Sequence, residues 1–222
     1  MKKAIAALPA VAAILASMFT AAHAAPRTWV ASFGSGTTCS RTAPCADLPT
    51  AYNATDAGGE INCLDAGGDI TLGSITTVQK SITIDCAGTA SPGKMSGEMT
   101  IDAPNIVVTL RNLSITPGDD FNGSTRGVIF QRGSALHIEK CRIANFHIGG
   151  INGQGLKFAP GPGITGMLFV SDTMITDNGL SDSGGGIIIQ PSGSGSARVV
   201  LDRVRVETTP TASSPTGWAR PE

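Results

Sequence analysis

The chain has 222 residues, and its 16 Lys and Arg against 17 Asp and Glu give a formal net charge of −1. That balance supplies no basic field to draw in nucleic acid, and the length suits one domain with one core. Glycine, at 28 residues, is nearly double its usual share of roughly 7%, which points to many tight turns between short elements.

Residues 1–24, MKKAIAALPAVAAILASMFTAAHA, join Lys2 and Lys3 to an Ala-rich apolar stretch that ends in Ala22-His23-Ala24, a small-x-small cleavage site. This is the pattern of an export signal. An uncleaved anchor is the competing reading, but the stretch is Ala-rich and interrupted by Pro9. The expectation is a periplasmic or extracellular protein with no membrane association once the signal is removed.

All five cysteines follow the signal, where an oxidising compartment permits disulfides and an odd number leaves a thiol over. Cys39 and Cys45 enclose SRTAP, a short Pro-bearing loop that a disulfide would pin. Next, CADLPTAYNATDAGG carries Ala and Leu at helical spacing and predicts a short capping helix. Cys63 and Cys86 then close two similar segments, INC and IDC. If these stack one coil above another, strands about 4.8 Å apart fall within disulfide reach.

From residue 108 onward one pattern recurs: VTLRNLSI at 108–115, LHIEKCRI at 136–143, LFVSDTMI at 168–175 and VVLDRVRV at 199–206. The first, third and eighth positions are always apolar; the sixth is Leu113, Cys141, Thr173 or Val204. Positions one and three face one way and position two the other, as a strand requires. The polar fourth and fifth positions suit a bend, and a Gly-led apolar stretch follows the first three units: Gly127-Val128-Ile129, Gly150-Ile151, Gly186-Ile187-Ile188-Ile189. Three short strands per period and no helix predict parallel sheets wound as a solenoid. A sandwich would need antiparallel hairpins with tight turns directly between adjacent runs, and the repeated units here do not follow one another that way. Cys141 takes an inward place and reads as a buried, inert thiol.

The order of export signal, RTWVASFGSGTTCSRTAPC, GGEINCLDAGGDI, SITIDC and repeated LHIEKCRI-type units resembles secreted bacterial right-handed parallel β-helix proteins of the pectate-lyase-like superfamily. The resemblance covers about residues 25–207 and implies an all-β, right-handed parallel β-helix with a short N-terminal capping helix. It implies no single activity, because fold does not fix function. Beyond it, residues 208–222 carry three Pro and no alternation. They read either as a disordered tail or as a point where the solenoid stops short of its last coils.

Motifs of that superfamily's enzymes are sparse here. Polygalacturonases use Asp residues in N-T-D and D-D segments, with G-H-G and R-I-K nearby; this chain offers one D-D, Asp119-Asp120. Adjacent loop carboxylates rarely flank one scissile bond. The same loop has oxygen ligands for calcium, but Gln131 stands where an EF-hand Glu would close the site, so no cofactor and no resident metal are expected. Gly161, Gly163 and Gly166 match G-x-G-x-x-G yet precede a strand, which removes the dinucleotide reading.

What remains is an outer strip. The second positions give Thr109, His137, Phe169 and Val200, the seventh give Ser114, Arg142, Met174 and Arg205, and the bends add Arg111, Lys140 and Arg203. Arginine forks and one aromatic face at coil spacing suit an acidic polysaccharide. Glu139, Asp172 and Asp202 interrupt the cations, which is also the pattern of a mixed solvated face. The expected function is glycan binding at Arg111, His137, Lys140, Arg142, Phe169, Arg203 and Arg205 by a monomer. The alternatives are a polysaccharide lyase or glycoside hydrolase, and a structural or adhesin-like surface module.

Overall fold

The structure is a computed structural model that describes residues 25–65, 69–71, 77–87, 93–117, 126–146, 153–179 and 184–207. The proposed signal, the Asp119-Asp120 loop, Gly150-Ile151 and residues 208–222 lie outside the described residues.

β1 (Ala25–Val30) and α1 (Leu48–Ala54) come first. Asp47 starts the helix by accepting a bond from the Thr50 N–H at 2.7 Å, and Pro49 stands in its first turn, where no N–H is missed. Leu48 and Ala51 are fully buried in the main core. At the far end Lys80 Nζ donates to the carbonyls of Tyr52 and Thr55 at 2.5 and 2.6 Å, joining the bond that the Tyr52 carbonyl already accepts from the Thr55 N–H. Burial there pushes the Lys80 ammonium below its usual pKa range.

Five coils follow, each giving three strands. The first is β2 (Thr55–Cys63), β3 (Asp69–Thr71) and β4 (Thr77–Val78); the second is β5 (Ile82–Asp85), β6 (Gly93–Ser96) and β7 (Met99–Asp102). The third is β8 (Val107–Arg111), β9 (Leu113–Thr116) and β10 (Arg126–Arg132), and the fourth is β11 (Ala135–Glu139), β12 (Arg142–Ala144) and β13 (Gln154–Phe158). β14 (Thr165–Ser171), β15 (Met174–Thr176) and β16 (Gly185–Ile189) complete the fifth, and β17 (Ser196–Asp202) and β18 (Arg205–Glu207) open another. Equivalent strands pair in parallel into three sheets, ordered β1-β2-β5-β8-β11-β14-β17, β3-β6-β9-β12-β15-β18 and β4-β7-β10-β13-β16. The fold is therefore an all-β parallel solenoid, a β-helix with very little helical structure.

The ladder register follows the sequence repeat. Val108, Leu136, Leu168 and Val199 pair in one column, and Leu110, Ile138, Val170 and Leu201 in another. Through the fifth coil these side chains are at most 1% exposed, so each coil stacks a layer of core on the last. The fifth position of every unit turns the corner in the left-handed region: Asn112, Lys140, Asp172 and Arg203 have φ between 48° and 53°. Their geometry continues the ladder around the bend, since the N–H groups of Asn112, Lys140 and Asp172 donate to the carbonyls of Glu139, Ser171 and Asp202 one coil on, at 3.0–3.1 Å.

The chain enters the third sheet through glycine for a steric reason. A Cβ on Gly127 would lie 2.8 Å from the Phe146 ring, and one on Gly155 would lie 2.8 Å from the Asn178 amide. The fourth coil meets this demand at Gly155-Leu156-Lys157-Phe158. The sequence pattern had pointed to Gly150-Ile151; Lys157, an outward charge, interrupts the apolar triplet that marks the other coils.

Cys39 bonds Cys45, and Cys63 bonds Cys86 across the first two coils with Cα atoms 4.6 Å apart. Cys141 is a free, buried thiol. Among the described residues no helix is long and apolar enough to cross a membrane.

Candidate functional site

The residues expected to form a strip do align. On the first sheet Arg27, Glu60, Thr83, Thr109, His137, Phe169 and Val200 stand in one outward column, and on the second Ser114, Arg142, Met174 and Arg205 stand in another. Their side chains, however, are largely occupied with one another. Arg111 bonds Glu139 at 2.8 Å, Arg203 bridges Asp172 and Asp202, and Arg205 bonds Glu207 in its own strand. The Asp172 carboxyl is held below its ordinary pKa, chiefly by the hydrogen bond from Arg203. His137 and Phe169 stack at 4.7 Å with planes 9° apart, so their flat faces meet each other along the solenoid axis. A sugar lying along the strip would meet ring edges there, while Arg142 has no carboxylate partner among the described residues and Lys140 acts on Asp172 through its charge without a direct bond.

A second region lies on the outer face of the third sheet and was not picked out by the repeat. The outward column there is Thr77, Thr100, Ile129, Lys157 and Ile188. Beside it opens a cleft of about 600 Å³ whose lining includes Asp102, Arg126, Gln131, Arg132, Lys157 and Gln190. Strand geometry sets the spacing of these groups. Phe130, Phe158 and Ile189 share a register, so Gln131 and Gln190, each one residue further on, flank the cleft two coils apart.

Turns between the third and first sheets shape the cleft's wall. Gly161 N–H donates to the Gln131 carbonyl at 3.0 Å, and Ser192 N–H donates to that of Pro160 at 3.0 Å. The G-x-G-x-x-G stretch thus serves as a turn: Gly163 has φ +77° and Ile164 N–H returns to the Gly161 carbonyl. Gly166 passes so near the Phe130 and Phe158 rings that a Cβ would lie 2.8–2.9 Å from them.

The electrostatics of the cleft are cationic. Arg126 reaches Glu98 at 3.5 Å and Arg132 bonds Asp102 at 2.5 Å, while Lys157 has no carboxylate partner among the described residues. Asp102 is the one carboxylate among the described lining residues, and Arg132 holds its Oδ1. Among the described residues no three His, Cys, Asp or Glu side chains converge as metal ligands.

The fold and this cleft define a β-helix with a cation-lined groove across its coils. No protein-family model, curated protein or solved structure matches the chain.

Proposed function

We propose that the protein is exported, that its solenoid is right-handed with α1 closing its first end, and that it binds an acidic extracellular polysaccharide in the cleft of the third sheet. The observation that carries this reading is Lys157, a cation with no carboxylate partner among the described residues, which lines the cleft together with Arg126 and Arg132 and with two amide side chains two coils apart. A uronate carboxylate supplies the missing partner for Lys157, and Gln131 and Gln190 offer donors and acceptors to sugar hydroxyls. The cleft suits such a ligand better than the outer strip does, because it is concave, while on the strip Arg111, Arg203 and Arg205 hold carboxylates of the same chain and the His137 and Phe169 faces cover each other. Binding is favoured over glycoside hydrolysis because hydrolysis needs two carboxylates flanking one bond, and the described lining offers Asp102 alone.

Retention on immobilised polygalacturonate, alginate and dextran tests the reading. The native chain is expected to be retained by an acidic polymer and not by dextran. Lys157→Ala should weaken that retention about tenfold, the equivalent of one charge-assisted hydrogen bond, with an unchanged melting temperature. Loss of retention in Arg142→Ala with Arg205→Ala, and none in Lys157→Ala, would move the site to the strip. Release of unsaturated sugar from the same mixtures would replace binding with a lyase activity, and retention on no glycan would leave the surface-module reading.

A further inference from the structure

The last coil exposes a core. Leu201 continues the column of Leu110, Ile138 and Val170, each at most 1% exposed, yet is 48% exposed. Val206 follows Ile115, Ile143 and Ile175, each 0% exposed, and is also 48% exposed. No strand among the described residues pairs with the outer edge of β17. Such an edge is a template for another strand.

The backbone of β17 shows what that strand needs. Ser196 N–H donates to Ile164, and the Asp202 carbonyl accepts from Asp172, so the even-numbered residues bond inward to β14. Val199 and Leu201, lying between them in the alternation, turn their N–H and C=O groups to the open side. Antiparallel pairing of β17 with itself, centred on Val200, sets Val199 opposite Leu201 of a second copy, and the two exchange both backbone hydrogen bonds. The same register sets Arg198 opposite Asp202 of the second copy, twice. Arg198 has no carboxylate partner among the described residues, and Asp202, which meets Arg203 through Oδ2, keeps a side chain that is 54% exposed. Charge, hydrogen-bond direction and apolar side chains therefore agree on one register.

We propose that two copies of this chain pair end to end through β17, about a two-fold axis at Val200. This interface is isologous and closed, so it yields a dimer and no fibre. It departs from the monomer expected of the sequence and does not depend on any glycan.

Sedimentation velocity of the full chain over a concentration series tests it. A reversible dimer is expected. R198D and D202R each set like charges opposite one another, and each should raise the dimer dissociation constant about tenfold or more with an unchanged circular dichroism spectrum. Mixing the two variants in equal amounts should restore the dimer, because every new charge then meets its opposite; a merely structural role for either residue predicts no such rescue. A full chain that stays monomeric overturns the proposal, as does a dimer that both variants leave unchanged. A chain ended at Glu207 that dimerises where the full chain does not would also overturn it, by showing that residues 208–222 cover the edge.

Discussion

Asn178 is a polar side chain buried to 1% exposure that bridges two coils. Its Oδ1 accepts from the Phe146 N–H at 3.1 Å and its Nδ2 donates to the Ile143 carbonyl at 3.0 Å. Asn178→Ala should cost about 2–3 kcal/mol in urea unfolding, because two buried backbone groups lose their partners. Cys141 gives a second prediction at this scale. Burial pushes its thiol from 9.0 up to about 12, so the folded protein keeps the proton in a range where the unfolded chain releases it. Stability is then level below pH 9 and falls as pH rises from there to about 12, by about 1.4 kcal/mol per unit. The difference between native protein and Cys141→Val, which copies Val204 at the same repeat position, isolates this slope from that of Lys80. A parallel loss in both proteins would remove the thiol as its source. In native protein at mildly alkaline pH the thiol should resist alkylation, and it should react once the chain is denatured.

The bends between the first and second sheets show how an element reads its own sequence. Each bend residue sits at positive φ, which Asn tolerates well and a long side chain tolerates less. Lys140→Asn or Lys140→Gly should therefore raise stability by about 1 kcal/mol, and Lys140→Val should lower it, as measured by urea midpoint at unchanged slope. These bends were legible, because polar pairs broke an apolar pattern at one fixed position in every unit. The ion pairs were also written in the alignment: Asp85, Arg111 and Glu139 share one column, and Asp172 and Arg203 share the next. Residues in one column are about 4.8 Å apart, so opposite signs there pair with each other before they meet a ligand. The cleft was not legible. Lys157 belongs to a third strand whose distance from the repeat varies with the loops before it, and its charge disguised that strand as a turn. Asn178 had the composition of a loop residue, and only the coil above it makes it a core amide.

At the scale of the molecule, a solenoid's stability is a sum over coils and the interfaces between neighbours, with no long-range lattice to hold the ends. The two ends here differ in kind. The first coils carry Cys63–Cys86, a covalent tie across a sequence separation of 23 residues, and α1 adds Leu48 and Ala51 to the core. Among the described residues the last coil has one neighbour, and its apolar side chains are half-exposed. Opening should therefore begin at β17 and β18 and travel toward the disulfide. Hydrogen exchange at low protein concentration is expected to find the inward-bonded amides of β17 and β18 fastest, and those of β8 and β11 among the slowest. Replacing Cys63 and Cys86 with Ala should cost about 3 kcal/mol, from the freedom returned to a loop of that length. It should speed exchange in β2 and β5 and leave the rates in β17 unchanged, because fraying at one end does not require opening at the other. Raising protein concentration supplies the discriminating condition. If β17 pairs with a second copy, protection spreads into Val199 and Leu201, whose amides face the open edge, before any other strand responds. Protection at those two positions that ignores concentration would mean that the edge is closed within one chain.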